Sequence, residues 1–452
     1  MISREDAPEL SRTDTGGDGG SGTMSILIDG YNLGLDHGTG VATYGRNLCR
    51  MIESLGGKVG VLYEFFSDPA ETQLLGEIAF FDPRKKRKGG VVGVARRLRD
   101  AIFAPLGCEV DEIRVSGRVV FDALKSRIPD VDAIWNSPDV FHSCLRSFRW
   151  FGRFGRVKIP GVDIAHWTYP LPIRNRGVPN VYTLHDLVPL RLPYTTLDNK
   201  KRYFRLCKRL VGTADHIITV SENSRKDIIN LLGADPDRVT NTYQPVGFPE
   251  SLVSKPESAV RNELSGTFNL DYKGYFLFYG AVEPKKNLGR LIEAYLGSAV
   301  GTPLIIVGAP GWNSKEELRL LEMLRTLGCK NRIMRLEYLP LSLLVTLIRG
   351  AKATLFPSLY EGFGLPLVES MLLGTAVLTS NGSSLPEVAG GAACFVDPYD
   401  TRAMAEAIRE LDANDAFRTE LEGKGRIRAE YFSTDACARR LNEVYRRVLD
   451  RK

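Results

Sequence analysis

Apolar residues along the chain fall into two alternating spacings. SILID (25–29) is a short, mainly apolar run of the kind that forms a buried strand. A glycine-bearing stretch follows at 30–40, and residues 41–54 then place Val41, Tyr44, Leu48, Met51 and Ile52 at helical spacing. VGVLYEF (59–65) reads as the next strand. Strand, glycine loop, helix and strand open a doubly wound α/β domain. Further strands are predicted at 132–136, 164–168, 181–185 and 216–220, with helices at 198–212 and 222–232. The pattern restarts at YFLFYG (275–280). From there strands at 303–308, 332–339, 353–358 and 376–380 alternate with helices at 286–296, 315–328, 342–351 and 366–374. Residues 245–272 carry three prolines and little periodicity, and read as the linker. The expected organisation is a disordered segment over 1–23, a first domain over 24–255, and a second over 256–432. A last helix (433–449) is expected to pack back on the first domain. Two such domains facing each other form a cleft at the carboxyl ends of their strands, where open α/β sheets bind ligands.

Composition sharpens this picture. With 452 residues, 43% of them hydrophobic and 25% charged, the chain has material for more than one core. Residues 1–23 are rich in Gly, Ser, Thr and Asp and lack the apolar core of a secretory signal. No run approaches the ~20 apolar residues of a membrane-spanning helix, so the expectation is a cytoplasmic chain. Seven scattered cysteines without a CxxC, and five histidines without an HxH or HxxxH, favour neither a disulfide framework nor a metal centre. Asp130-Val131-Asp132 has the form of a DxD metal motif but reads as a solvated turn. The net charge of +6 is unevenly spread. Residues 84–99 hold eight basic side chains and no acid, and 146–158 hold five more, interleaved with Phe148, Trp150, Phe151 and Phe154. Basic residues mixed with bulky rings suit an anionic membrane surface, so peripheral contact with the inner face of the cytoplasmic membrane is expected. No nucleic-acid partner is expected.

The chemistry concentrates in Ser358–Pro386. Tyr360-Glu361-Gly362-Phe363-Gly364 follows a strand, and Leu365-Pro366 opens a helix. Two glycines let backbone amides approach a ligand, and the free N–H groups of the helix start form an anion site. Glu361 and Glu369 stand beside that site. A carboxylate repels phosphate but accepts hydrogen bonds from hydroxyls. An anion site flanked by carboxylates therefore describes a sugar nucleotide.

This stretch, with its continuation GTAVLTSNGSSLPEVAG, closely resembles the hallmark of retaining GT-B glycosyltransferases of glycosyltransferase family 4. The likeness extends to DGYNLG and GTGVATYGRNL within 29–48, TLHDLVPLRLP (183–193), ADHIITVSENSRKDI (214–228), YGAVEPKKNLGRLIEAY (279–295) and VGAPGWNSKEEL (307–318). It does not reach residues 70–160. The resemblance implies a GT-B fold, a nucleoside diphosphate sugar as donor substrate rather than a cofactor, and no resident metal. It implies that Lys286, Lys285 and the backbone of Gly280 and Gly362–Leu365 hold the diphosphate. Glu361 would hold sugar hydroxyls and Glu369 the ribose, with His185 across the cleft near the transferred sugar. Asp186 beside it is a candidate on the acceptor side, and the loop ending at Gly40 would reach the diphosphate or the acceptor. Many members carry arginine directly after the first glycine. Here that residue is Ala281, and Lys285 is the candidate replacement. The HDLVPL, EPKKN and GAPGW variants are similar to mannosyltransferases of bacterial polysaccharide assembly. They imply GDP-mannose as donor and a lipid-linked or other glycan acceptor. A UDP-sugar donor or a sugar-nucleotide epimerase fits the same motifs. The absence of GxGxxG after both leading strands disfavours a nicotinamide-dependent oxidoreductase.

Overall fold

The computed structural model describes residues 23–34, 40–66, 72–82, 91–119, 128–197, 199–311, 314–326 and 332–451. The predicted disorder of 1–22, the glycine loop over 35–39 and the basic residues 84–90 lie outside these.

Ten strands belong to the first half: β1 Ser25–Asp29, β2 Lys58–Tyr63, β3 Asp111–Ile113, β4 Ala133–Asn136, β5 Gly155–Val157, β6 Ile164–Trp167, β7 Ile173–Asn175, β8 Asn180–Thr183, β9 His216–Thr219 and β10 Val239–Asn241. Eight form one sheet in the order β10-β9-β8-β6-β1-β2-β4-β3, parallel except for β3 at the edge, and β5 and β7 pair separately. Its helices are α1 Gly40–Ser54, α2 Gln73–Phe81, α3 Val91–Phe103, α4 Val140–Phe151, α5 Val188–Arg191, α6 Lys200–Thr213 and α7 Glu222–Leu232. The second half holds β11 Phe276–Tyr279, β12 Leu304–Val307, β13 Ile333–Leu336, β14 Ala353–Phe356, β15 Ala376–Ser380 and β16 Cys394–Val396 in one parallel sheet, ordered β13-β12-β11-β14-β15-β16. Its helices are α8 Glu250–Val253, α9 Glu257–Phe268, α10 Leu288–Ser298, α11 Ser314–Thr326, α12 Leu341–Gly350, α13 Leu365–Leu372, α14 Leu385–Ala389, α15 Thr401–Ala413 and α16 Asp415–Glu430. The last helix, α17 Thr434–Asp450, packs on α1. Both sheets have helices on both faces, the GT-B arrangement of two Rossmann-like domains.

Burial follows the apolar spacing. Ile26 and Ile28 of β1 face α1 and α17, while Leu27 faces the α4 and α6 side. α6 turns Leu206, Cys207, Leu210 and Val211 inward. α7 is delimited by the Ser221 hydroxyl, which accepts the Ser224 N–H, and by Gly233 at φ 57°.

Two sequence readings need correction. The stretch read as linker is largely helical. α9 buries Val260 and Leu264 against α12, because Pro249 and Pro256 stand immediately before helices and start them rather than break them. The run 146–158 is only partly surface. Arg146 pairs with the buried Asp139, and Phe148 is a core residue, leaving Trp150 and Phe151 exposed. The DxD turn is local structure: Asp132 Oδ2 accepts the Val59 N–H at 2.8 Å.

The chain crosses between the halves twice, near 243–249 and near 431–433. The crossings touch: the Val246 N–H donates to the Phe432 carbonyl at 3.0 Å. Tyr243, Phe363, Tyr431 and Phe432 pack around that bond, mostly edge to face, and the Arg440 guanidinium lies 4.1 Å from the Tyr431 ring. No helix among the described residues is long and apolar enough to cross a membrane.

Candidate active site

In the second sheet the strand order reverses between β11 and β14. Such a reversal leaves a crevice at the carboxyl edge. β11 runs into Gly280, whose φ of 128° suits only glycine. The next turn, Pro284–Lys286, ends at Asn287, whose amide donates to the Pro357 and Pro398 carbonyls at 3.1 and 2.7 Å. The Leu359 N–H donates to the Lys285 carbonyl at 2.7 Å. These bonds clamp the lysine turn to the loop after β14.

That loop carries Glu361, which is 6% exposed. Its Oε1 is 2.7 Å from Lys286 Nζ and its Oε2 3.9 Å from Lys285 Nζ. Burial pushes the Glu361 carboxyl up, but the Lys286 and Lys285 ammoniums outweigh burial and hold it below the usual carboxylate range. Burial works to lower Lys285 as well, and Glu361, Asp186 and Glu283 together keep it above its ordinary value. Lys286 Nζ also lies 4.7 Å from the Phe356 ring centroid. Lys286 and Lys285 thus bring two ammonium groups to the start of α13, partnered by Glu361 and, around Lys285, by Asp186 and Glu283.

Gly364, at φ 101°, caps α13, with Pro366 in its first turn. Glu369 lies one turn into the helix, beside Tyr279, and burial raises its carboxyl to about 7 against the hydrogen bond from Tyr279 and the charge of Lys286. Tyr279 itself donates to the Pro366 carbonyl at 2.7 Å. No local pattern in the sequence marks Tyr279 as a partner of this site.

The first half meets this corner closely. A Cβ on Gly362 would lie 2.8 Å from the His185 carbonyl oxygen and 2.9 Å from Asp186 Cβ, so only glycine fits there. His185 sits just past β8, its ring edge-on to Tyr44 at 4.7 Å, and Nε2 lies 3.0 Å from the Thr168 carbonyl oxygen. Burial lowers its pKa, which favours the neutral ring. A carbonyl only accepts, so Nε2 carries the proton and Nδ1 keeps its lone pair. Thr168 is held in turn by the buried Asp29, which accepts its N–H. The Asp186 carboxylate accepts the Val188 N–H at 3.0 Å, a turn contact. Gly40 is exposed at the start of α1, and a Cβ there would be 3.8 Å from Leu365 Cδ1. The positive ends of α1 and α13 therefore open on the same space.

The structure thus gathers Gly40, His185, Gly280, Lys285, Lys286, Glu361, Gly362, Gly364, Leu365 and Glu369 around one cleft. Phe363 differs, because its ring is buried against Phe432 and Tyr243 and only its backbone is available to a ligand. Contacts that hold the halves together went unread in the sequence. The Glu387 carboxylate accepts the N–H groups of Glu222 and Asn223 at 2.7 and 3.0 Å, capping α7 from the other half. The Tyr360 hydroxyl bonds Asp227, which also pairs with Arg191. A separate group, Glu64, Asp139 and His142, has ligand atoms within 4.8 Å of one another. Its members serve α4: Glu64 accepts the Phe141 N–H at 3.1 Å and Asp139 pairs with Arg146.

Comparison with known proteins agrees with this arrangement. The family model for glycosyl transferases group 1 matches residues 262–428, and that for Glycosyltransferase Family 4 matches 88–246. The latter spans much of the region where the sequence motifs fall silent. The O-antigen chain mannosyltransferase B of Escherichia coli is 31% identical over 272 residues, 59% of this chain and 70% of that protein. The serotype-specific mannosyltransferase WbdA of Escherichia coli is 27% identical over 288 residues, 63% of this chain but only 35% of that longer protein. Among solved structures, a sucrose-phosphate synthase from Thermosynechococcus elongatus matches with a TM-score of 0.65 and 17% identity, covering 95% of this chain and all (100%) of that one, which speaks for the fold alone. With two sheets facing a lysine-lined cleft and a relative of this identity and coverage, the chain belongs to glycosyltransferase family 4 and has the GT-B fold.

Proposed function

We propose that the chain transfers a hexose, with mannose from GDP-mannose as the first candidate, to a hydroxyl of a lipid-linked glycan in bacterial surface-polysaccharide assembly, with retention at the anomeric carbon. One observation carries the reading: Lys286 and Lys285 converge on Glu361 at the N-terminal end of α13. In such a transfer the bond from the anomeric carbon to the diphosphate oxygen breaks, and its electron pair leaves with the diphosphate. Cations and amides fixed in place beforehand stabilise that charge without reorganising. The two lysines and the starts of α13 and α1 supply it here without calling on a divalent ion. Glu361, held ionised by the lysines, can accept from sugar hydroxyls. In this reading Glu369 accepts from the ribose, and His185 accepts at Nδ1 from a hydroxyl of the transferred sugar. The acceptor oxygen bonds to the anomeric carbon on the face the diphosphate leaves, and its proton passes to a departing phosphate oxygen. The basic stretches 84–99 and 146–158 support peripheral membrane contact, in keeping with a lipid-linked acceptor.

The mannosyltransferase relatives support mannose as the transferred sugar. A UDP-sugar is the second reading, supported by the same corner. Thermal stabilisation of the purified chain by a panel of nucleotide sugars tests both, since a ligand that binds only the folded state raises the melting temperature. The expected result is a shift with GDP-mannose that disappears in Glu369→Ala. A shift with UDP-sugars alone replaces the donor. No shift with any nucleotide sugar overturns the reading.

A further inference from the structure

Helix α6 carries Lys200, Lys201, Arg202, Arg205, Lys208 and Arg209 and no acidic residue. In the sequence they fall as Lys200-Lys201-Arg202, Arg205 and Lys208-Arg209, with uncharged residues between the groups. Folding sorts the two sets, with Leu206, Cys207, Leu210 and Val211 inward and Lys201, Arg202, Arg205, Lys208 and Arg209 outward. On the outward face lies an open groove of about 560 Å³ lined by Phe204, Arg205, Lys208, Arg209, Gly212 and Thr213. Gly212 opens it, with nothing within 4 Å of where its Cβ would be. Lys208 Nζ is held at the groove by the Leu232 carbonyl at 2.5 Å. The Arg205 guanidinium lies 5.6 Å from the Phe148 ring, which joins α6 to α4. The end of α4 adds Trp150 and Phe151, 46% and 48% exposed, next to the exposed Arg149 and Arg153. Phe204 is itself 42% exposed. Asp215, just beyond the end of α6, is already taken by Arg174 and the Asn180 N–H.

Exposed rings beside cations, Phe204 next to Arg205 and Lys208 on α6 and Trp150 and Phe151 next to Arg149 and Arg153 at the end of α4, match the boundary of an anionic lipid leaflet. Rings enter the interface while ammonium and guanidinium groups meet phosphates. A nucleic-acid backbone offers the charge but no apolar phase for Trp150, Phe151 and Phe204. We infer that α6 and the end of α4 are a docking surface for an anionic phospholipid leaflet, with Arg205, Lys208 and Arg209 meeting lipid phosphates. This deepens the membrane contact proposed above and moves its centre to a helix outside both basic stretches.

The test is co-sedimentation of the full chain with vesicles of phosphatidylglycerol and phosphatidylethanolamine, and with phosphatidylcholine vesicles as control. The readout is lipid binding, so the result stands whether or not the donor assignment does. Each basic group near such a surface is worth about fivefold in binding, so Arg205→Gln/Lys208→Gln/Arg209→Gln should weaken binding about a hundredfold. Phe204→Ser should weaken it without a change of charge. Arg402→Gln/Lys424→Gln/Arg439→Gln, an equal charge change elsewhere, should leave it intact. Melting curves like the parent's confirm that each variant folds. Unchanged binding in the α6 triple variant, an equal loss in the distant one, or equal binding to phosphatidylcholine each overturns the inference. So does a chain that takes up nucleic acid and not vesicles.

Discussion

The cleft and the face of α6 use the same side chain in opposite ways. In the cleft, Lys285 and Lys286 are mostly buried and both point at Glu361, so each cation has a fixed position and a partner. On α6 the cations are exposed and the helix offers them no acid. A buried, partnered charge acts at one place and is screened little by salt. An exposed cluster acts as a field that reaches about 10 Å at an ionic strength of about 0.1 M. Lysine suits a leaving group in the first setting and a charged surface in the second.

The hardest blow to this contrast is Lys286→Met. Removing a fixed cation from the leaving group should lower kcat by about 10²–10³-fold, measured as sugar transfer to a soluble acceptor. A loss under about tenfold would mean that the cleft charges are structural. A smaller effect should come from Glu369, which faces Tyr279 on β11 and Lys286 on the turn after it. Raised to about 7, its carboxyl holds a proton that the unfolded chain releases near pH 4.5. Its contribution to stability therefore falls as pH rises between those values. Donor affinity should run the other way, rising several-fold as pH passes about 7 and the carboxylate becomes the better acceptor. Titrating donor binding by calorimetry checks this, and Glu369→Gln should flatten the profile. The smallest change of all, in turnover, gives the sharpest comparison with vesicle binding. Going from about 0.1 M to about 1 M salt shortens the screening length from about 10 to about 3 Å. Vesicle binding should collapse across that range, while turnover on a soluble acceptor should change by less than about twofold.

Much of the cleft could be read from the sequence because its signals are local. Gly362, Gly364 and Pro366 dictate the β14–α13 corner within a few residues, and Lys285 and Lys286 follow a strand that the apolar spacing marks. What escaped was set by partners far along the chain. Tyr360 meets Asp227 and Glu387 caps α7 only after both halves have folded. Arg146 looks like surface charge until Asp139, seven residues earlier, turns toward it in a left-handed conformation. The α6 cations form a patch only once the helix is wound, because a helix gathers charges by face and not by order along the chain. Strands of three residues, such as β3 and β5, are too short to show a period.

The crossing at Val246 and Phe432 has a mechanical consequence. Two bodies joined by separate tethers can slide as well as tilt, and a cleft that slides loses the alignment of its walls. Here the tethers are bonded to each other at one point and ringed by aromatic side chains, so any slide must first break that bond. His185 and Asp186 already rest against the bare backbone at Gly362, and the absent side chain is what lets the two walls meet.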